Sequence, residues 1–207
     1  PRSTLFPYTT LFRSITMTGG LVSAKVTENY LVLLSRNVTI TFVATTNGFS
    51  NFKDGKLHIG SARIIAANNY CINSCINPVM SGGVIQPTAI GSQTACYSSS
   101  LQLTGGAIVG VNRAIYNSNY AKMSGGLIAG VNEPTTWAVG FTLTGGVIYG
   151  YKDYQGAIYN GSHFSRLLGG TIVSNTNGYT LAIVNSIYIN GTTFHNTAIL
   201  IGDDSTG

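Results

Sequence analysis

Three segments decide the fold: LTGGAIVG at 103–110, MSGGLIAG at 123–130 and LTGGVIYG at 143–150, evenly spaced and in one register. Each opens on an apolar residue, passes through a Gly-Gly pair and continues as apolar residues alternating with small ones. Such alternation is strand periodicity, because successive side chains of a strand point to opposite faces. The glycine pair permits a sharp corner, since glycine reaches backbone angles that other residues avoid.

Outward from these segments, Gly-Gly pairs stand at 19–20, 82–83, 105–106, 125–126, 145–146 and 169–170, with steps of 63, 23, 20, 20 and 24. Sixty-three is three times 21, which predicts degenerate repeats starting near 40 and 61; a ninth repeat starts at Gly191. Two columns fit this register. Two residues before each start stand Met17, Val38, Ile59, Met80, Leu103, Met123, Leu143, Leu167 and Ile189. Three residues after it stand Val22, Val43, Ile64, Ile85, Ile108, Ile128, Ile148, Ile172 and Phe194. All are apolar. A third column, five after the start, is small or turn-forming and includes Gly110, Gly130, Gly150 and Ser174. Asn47, Asn68, Asn112 and Asn132 share a fourth, where amides can bond along a stack.

A strand, a corner and another strand, repeated roughly every 20 to 24 residues, describe one coil of a parallel β-helix. A single coil cannot bury a core, but stacked coils share one. The expected fold is therefore all-β, a right-handed parallel β-helix (β-solenoid) of about nine coils. At a strand spacing of about 4.8 Å, nine coils make a rod on the order of 43 Å long.

Composition agrees. Charged residues make up 8% of the 207, against roughly 25% in a typical soluble domain, while apolar residues make up 44%. A disordered chain needs the opposite balance. A helical bundle is excluded by abundant glycine and scarce Lys, Glu and Arg. Glycine has no period of three, so collagen is excluded, and no apolar run is long enough for a membrane span.

The stretch TLFPYTTLFRS at 4–14 resembles the translation of a widely used short-read sequencing adapter. Residues 1–14 are therefore set aside as an artefact, disordered or loosely attached. Residues 15–207 are read as one β-helix repeat domain, truncated at both ends.

The motif TGGAI at 104–108, with its variants GGLI, GGVI and GGTI, resembles right-handed parallel β-helix repeats of secreted bacterial surface proteins. It is also similar to the GGA-I motif of the chlamydial polymorphic membrane proteins, which are adhesins. The stretch IYINGTTFHN at 187–196 resembles coils of the pectate-lyase-like superfamily, which includes phage tailspikes. These resemblances imply an extracellular, cell-surface or virion-surface location and a glycan or host-cell surface as partner. Analogy with tailspikes implies a trimer.

The formal charge of +5 includes Arg2 and Arg13 of the excluded segment. The other basic residues are scattered singly, which argues against nucleic-acid binding. The step from Cys75 to Cys96 equals one coil, so the spacing allows a disulfide between stacked coils. The alternative is three small buried or loop thiols, with Cys71 the third. No metal or cofactor is expected. The sequons at Asn37, Asn160 and Asn190 carry no weight in an Asn- and Thr-rich chain.

Two functions stay open. The first is a binding or structural role, as an adhesin, fibre or stalk, with the stretches 112–120 and 151–163 as variable contact surface. Trp137, Tyr149, Tyr151, Tyr154 and Tyr159, with Arg113, are the candidate binding residues, the aromatics for stacking on sugar rings; ordinary packing is the favoured alternative for them. The second is a glycan hydrolase or lyase. Arg113, Glu133 and Asp153 each fall eight residues after a repeat start and would share one column. Glu133 and Asp153 would then lie roughly 5 Å apart at the backbone, near the separation of a retaining hydrolase pair, with Arg113 holding one ionised. A solvated ion column is the bland alternative, and the balance favours a protein that is not an enzyme.

Overall fold

The computed structural model describes residues 15–17, 22–23, 31–33, 39–42, 47–50, 57–60, 63–66, 70–87, 94–130, 136–150, 158–160, 164–174, 181–183, 187–195 and 199–201. The adapter-like stretch at 1–14 lies outside them. The described residues form an all-β parallel solenoid. Every strand pairing is parallel, and each strand pairs with its counterpart one coil away. One wall is a nine-stranded sheet in which strand follows strand in coil order. The rest of the wall is a fifteen-stranded sheet, built from a long strand and a short strand per coil that fuse in Arg113–Met123 and Thr136–Leu143.

The corner between the walls is the Gly-Gly pair. Its two glycines are needed for different reasons. A Cβ on Gly105 would lie 2.5 Å from the carbonyl oxygen of Ser81 in the coil before. Gly106 has φ +85° and would in addition press a Cβ to 2.6 Å from the carbonyl carbon of Gly82. The corners thus stack backbone on backbone. Their amides also bond along the axis: Thr104 N–H donates to Met80 O at 2.8 Å, and Ala107 N–H donates to Gly83 O at 2.9 Å. The same pair of bonds recurs at Ser124 and Leu127, and at Thr144 and Val147. Four turns separate the five stacked Gly-Gly corners from 82–83 to 169–170.

The core lies inside the coil. Ile64, Ile85, Ile108, Ile128, Ile148 and Ile172 form one buried column, partners in register from coil to coil. Ile59, Met80, Leu103, Met123, Leu143 and Leu167 form the facing one. Burying each such side chain is worth about 1.5–3 kcal/mol. Gly110, Gly130 and Gly150 are buried partners at the end of the first wall, followed by buried Ser174. Buried polar groups find partners across coils, as where Phe141 N–H donates to Ser165 Oγ at 3.0 Å.

The register expected from the sequence holds from Ile59 and Ile64 onward but not before. The partner of Ile64 is Ile40, not Val43, and the partner of Ile40 is Ile15. The partner of Ile59 is Leu33, not Val38. Val22–Ser23 belongs to the other sheet, where it pairs with Phe49 and Ser50. The described strands Ile15–Met17 and Val22–Ser23 therefore do not follow the expected register, and the first interval, from Ile15 to Ile40, is longer than the expected coil. The count of nine regular coils does not stand in the form expected. Without a glycine pair to pin the corner, a slip of register exchanges one apolar residue for another, so the pattern alone leaves the register open.

Asn47 pairs with Tyr70 and so leaves the asparagine column expected for it; Asn68 and Asn132 lie outside the described residues. Residues 113–120 are not a loop insert but part of the long strand Arg113–Met123. No helix among the described residues is long and apolar enough to cross a membrane.

Candidate functional site

One register position on the longer strand of the second sheet is aromatic in coil after coil. Within Thr94–Ser98, Thr94, Cys96 and Ser98 are buried, so Tyr97 points outward. Its backbone partner on the next coil is Tyr116, followed by Trp137 and Tyr159. Four successive coils thus place an aromatic residue at this position. The Tyr97 and Tyr116 rings lie 5.3 Å apart at 32°, and Tyr70 extends the row with its ring 5.5 Å from Tyr97 at 39°. Tyr70, Tyr97 and Tyr116 are half-buried. Such offset, tilted pairs add about 0.5–1.5 kcal/mol beyond area burial. The Arg113 guanidinium sits over the Tyr116 ring, 5.4 Å from its centre, within cation–π range.

A polar groove lies on the short strands of the same sheet. One part, of about 300 Å³, is lined by Asn77, Ser100, Gln102, Tyr120 and Lys122. An adjoining part of about 230 Å³ shares Gln102 and Lys122 and runs on to Thr142 and Thr144. Gln102, Lys122, Thr142 and Arg166 are backbone partners on successive coils. Ser100 has φ +91°, an uncommon angle for a residue with a Cβ. The groove therefore offers hydroxyls, amides and the Lys122 ammonium along the axis.

Of the residues picked from the sequence, Arg113, Trp137 and Tyr159 are brought to neighbouring positions on the stacked long strands. Tyr149 is not: it lies in the nine-stranded sheet, between Ala129 and Val173. Glu133, Asp153, Tyr151 and Tyr154 lie outside the described residues. So do the other four carboxylates, Glu28, Asp54, Asp203 and Asp204. Tyr70, Tyr97 and Tyr116 were missed. The coil length between corner and aromatic varies, so no fixed offset from the glycine pair finds them.

The three cysteines are buried thiols, none of them in a disulfide. The coil spacing that allows a Cys75–Cys96 bridge is broken by a bulge. Cys96 is the partner of Ile72, whereas Cys75 is the partner of Ser98, with a register shift between Tyr97 and Ser98. The surplus residue is Ser74, exposed and at φ +54°. Cys96 Sγ–H instead faces Ser98 Oγ at 3.7 Å. Burial pushes the Cys96 thiol up to about 12, against a lowering contribution from the Ser98 hydrogen bond. Among the described residues, no group of three His, Cys, Asp or Glu is placed to hold a metal ion.

Fold and site together define a parallel β-solenoid with an aromatic column and a polar groove on one sheet. The chain matches no family model, no curated protein and no solved structure.

Proposed function

We propose that this chain is a length of extracellular or virion-surface solenoid with a binding and structural role, of adhesin or fibre type, whose partner is a surface glycan. One observation carries the reading: Tyr97, Tyr116, Trp137 and Tyr159 occupy one register position on four successive coils. Aromatic side chains combine an apolar body with a polar tip, which suits sugars, whose rings have C–H faces and hydroxyl edges. The groove from Asn77 to Thr144 supplies hydrogen-bonding groups on the same sheet. A stack of coils supplies the rigid length on which such a surface is displayed.

The test is a glycan array probed with the intact protein, followed by titration of any glycan retained. Binding weakened at least tenfold by Tyr97→Ala and Tyr116→Ala, with the β-sheet circular dichroism unchanged, is expected. No retained glycan, or binding indifferent to both substitutions, would sink the proposal.

A further inference from the structure

The row of tyrosines crosses three coils where the strand ladder is irregular. Tyr70 opens the strand Tyr70–Cys75, Tyr97 stands in Thr94–Ser98 and Tyr116 in Arg113–Met123. The pairing of the first two strands shifts register between Tyr97 and Ser98. Cys75 and Cys96 are out of register there, and no disulfide ties these coils together. The phenol rings are nonetheless close, Tyr70 to Tyr97 at 5.5 Å between centres and Tyr97 to Tyr116 at 5.3 Å.

We propose that Tyr97 is an oxidative cross-linking site, which couples to a ring stacked beside it, Tyr116 or Tyr70, as a dityrosine bridge between neighbouring coils. The oxidant is hydrogen peroxide acting through a haem peroxidase. Each of the two phenols gives one electron and one proton, and together these reduce one peroxide to two waters. The two tyrosyl radicals pair at ring carbons ortho to oxygen, which forms one carbon–carbon bond. The hydrogen on each joined carbon then moves to the oxygen of its own ring and restores two aromatic phenols. The protein loses two hydrogens in all.

Geometry and access select this row. Coupling ordinarily waits for two radicals to meet, and side chains fixed side by side remove that wait. To be joined, the ring centres have to close by less than one carbon–carbon bond length, about 1.5 Å. The pairs are tilted by 39° and 32°, and a tilt turns the edge of one ring, where the ortho carbons lie, towards the other. All three tyrosines are half-buried and so reach solvent, whereas the sulfurs of Cys71, Cys75, Cys96, Met80 and Met123 lie in buried residues. Oxidation of sulfur follows its exposure, so the oxidant meets these phenols before those sulfurs. The bridge ties coil to coil by a side-chain bond, as a disulfide would. It does not depend on a glycan ligand.

The test is to treat the intact, dilute protein with a haem peroxidase and hydrogen peroxide. The expected product is a monomer with dityrosine fluorescence, whose digest yields, by mass spectrometry, a bridge lighter by two hydrogens that joins Tyr97 to Tyr116 or Tyr70. Its urea midpoint should rise above that of the untreated protein. Tyr97→Phe keeps a ring for packing but has no phenol to oxidise, and should lose most of the fluorescence of the monomer. Tyr149→Phe, on the other sheet, should leave that fluorescence unchanged, with circular dichroism checking the fold of both variants. Absence of dityrosine overturns the proposal, as do bridges formed only between molecules, bridges placed at other tyrosines, or monomer fluorescence that Tyr97→Phe leaves intact.

Discussion

The Cβ that Gly126 lacks would lie 2.6 Å from the carbonyl oxygen of Gly106, its counterpart one coil earlier. Gly126 also has φ +86°. Space and backbone angle thus make the same demand, and neither can be met by moving a side chain. Gly126→Ala is expected to cost at least about 1–3 kcal/mol, the cost of one residue held in a sparsely populated backbone region. Urea denaturation measures it; a loss below about 0.5 kcal/mol would contradict the stacked corner.

Met123 stands between Leu103 and Leu143 in a buried column, itself 1% exposed. Its terminal methyl reaches the corner and would lie 2.5 Å from a Cβ on Gly146. Met123→Ala should leave a cavity between two coils and lower stability by about 2–5 kcal/mol. Lys122→Ala, next in sequence but outward, should change it by less than about 0.5 kcal/mol. Thermal melts of the two variants give the comparison, and equal losses would refute the inward and outward assignment.

Cys96 is held as a neutral thiol, its value raised by burial from the ordinary 9.0 to about 12. A raised folded-state value means that the folded protein holds its proton more tightly than the unfolded chain. Its contribution is therefore complete below about pH 9 and is lost as pH rises towards 12. Stability measured from pH 8 to 11 should fall, and Cys96→Ala should flatten part of that fall. At pH 8 a disulfide reagent such as DTNB should leave all three buried thiols unmodified until denaturant is added. Rapid labelling of the native protein would show that the cysteine region opens.

For the carboxylates, the binding reading predicts that a retained glycan survives incubation with the protein intact. Reducing-end assays and mass spectrometry should detect no new products. Product formation abolished by both Glu133→Gln and Asp153→Asn would establish the hydrolase alternative in its place.

The sequence was informative wherever one residue type had no substitute. At the corners from Gly105 to Gly170 only glycine fits, so pairs such as Gly105-Gly106 and Gly125-Gly126 announce the coil and its length. Inward Ile108, Ile128 and Ile148 follow at a fixed distance because little chain intervenes. The aromatic column was hidden for the converse reason. The chain between glycine pair and aromatic is longest from Gly82 to Tyr97, shorter from Gly145 to Tyr159, shorter again from Gly125 to Trp137, and shortest from Gly105 to Tyr116. Chain of varying length is accommodated before that strand, and a bulge at Ser74 adds one residue more. The same tolerance misled the cysteine spacing, in which one coil length did not make one register. Near the N-terminus, Ile40 and Val43 were equally acceptable as inward residues, and the pattern had no glycine pair to choose between them.

The axial hydrogen bonds give the rod a mechanical direction. Bonds such as Thr104 N–H to Met80 O and Leu127 N–H to Gly106 O run from coil to coil, parallel to the long axis. A pull on the two ends therefore strains the bonds of one coil boundary at a time instead of shearing many together. A released coil of about 20 residues changes from about 4.8 Å of stacked length to about 70 Å of drawn-out chain. Rigid until a coil boundary gives way, the molecule should then lengthen under tension in steps, coil by coil. Sideways load instead meets the covalent chain, which runs round every coil.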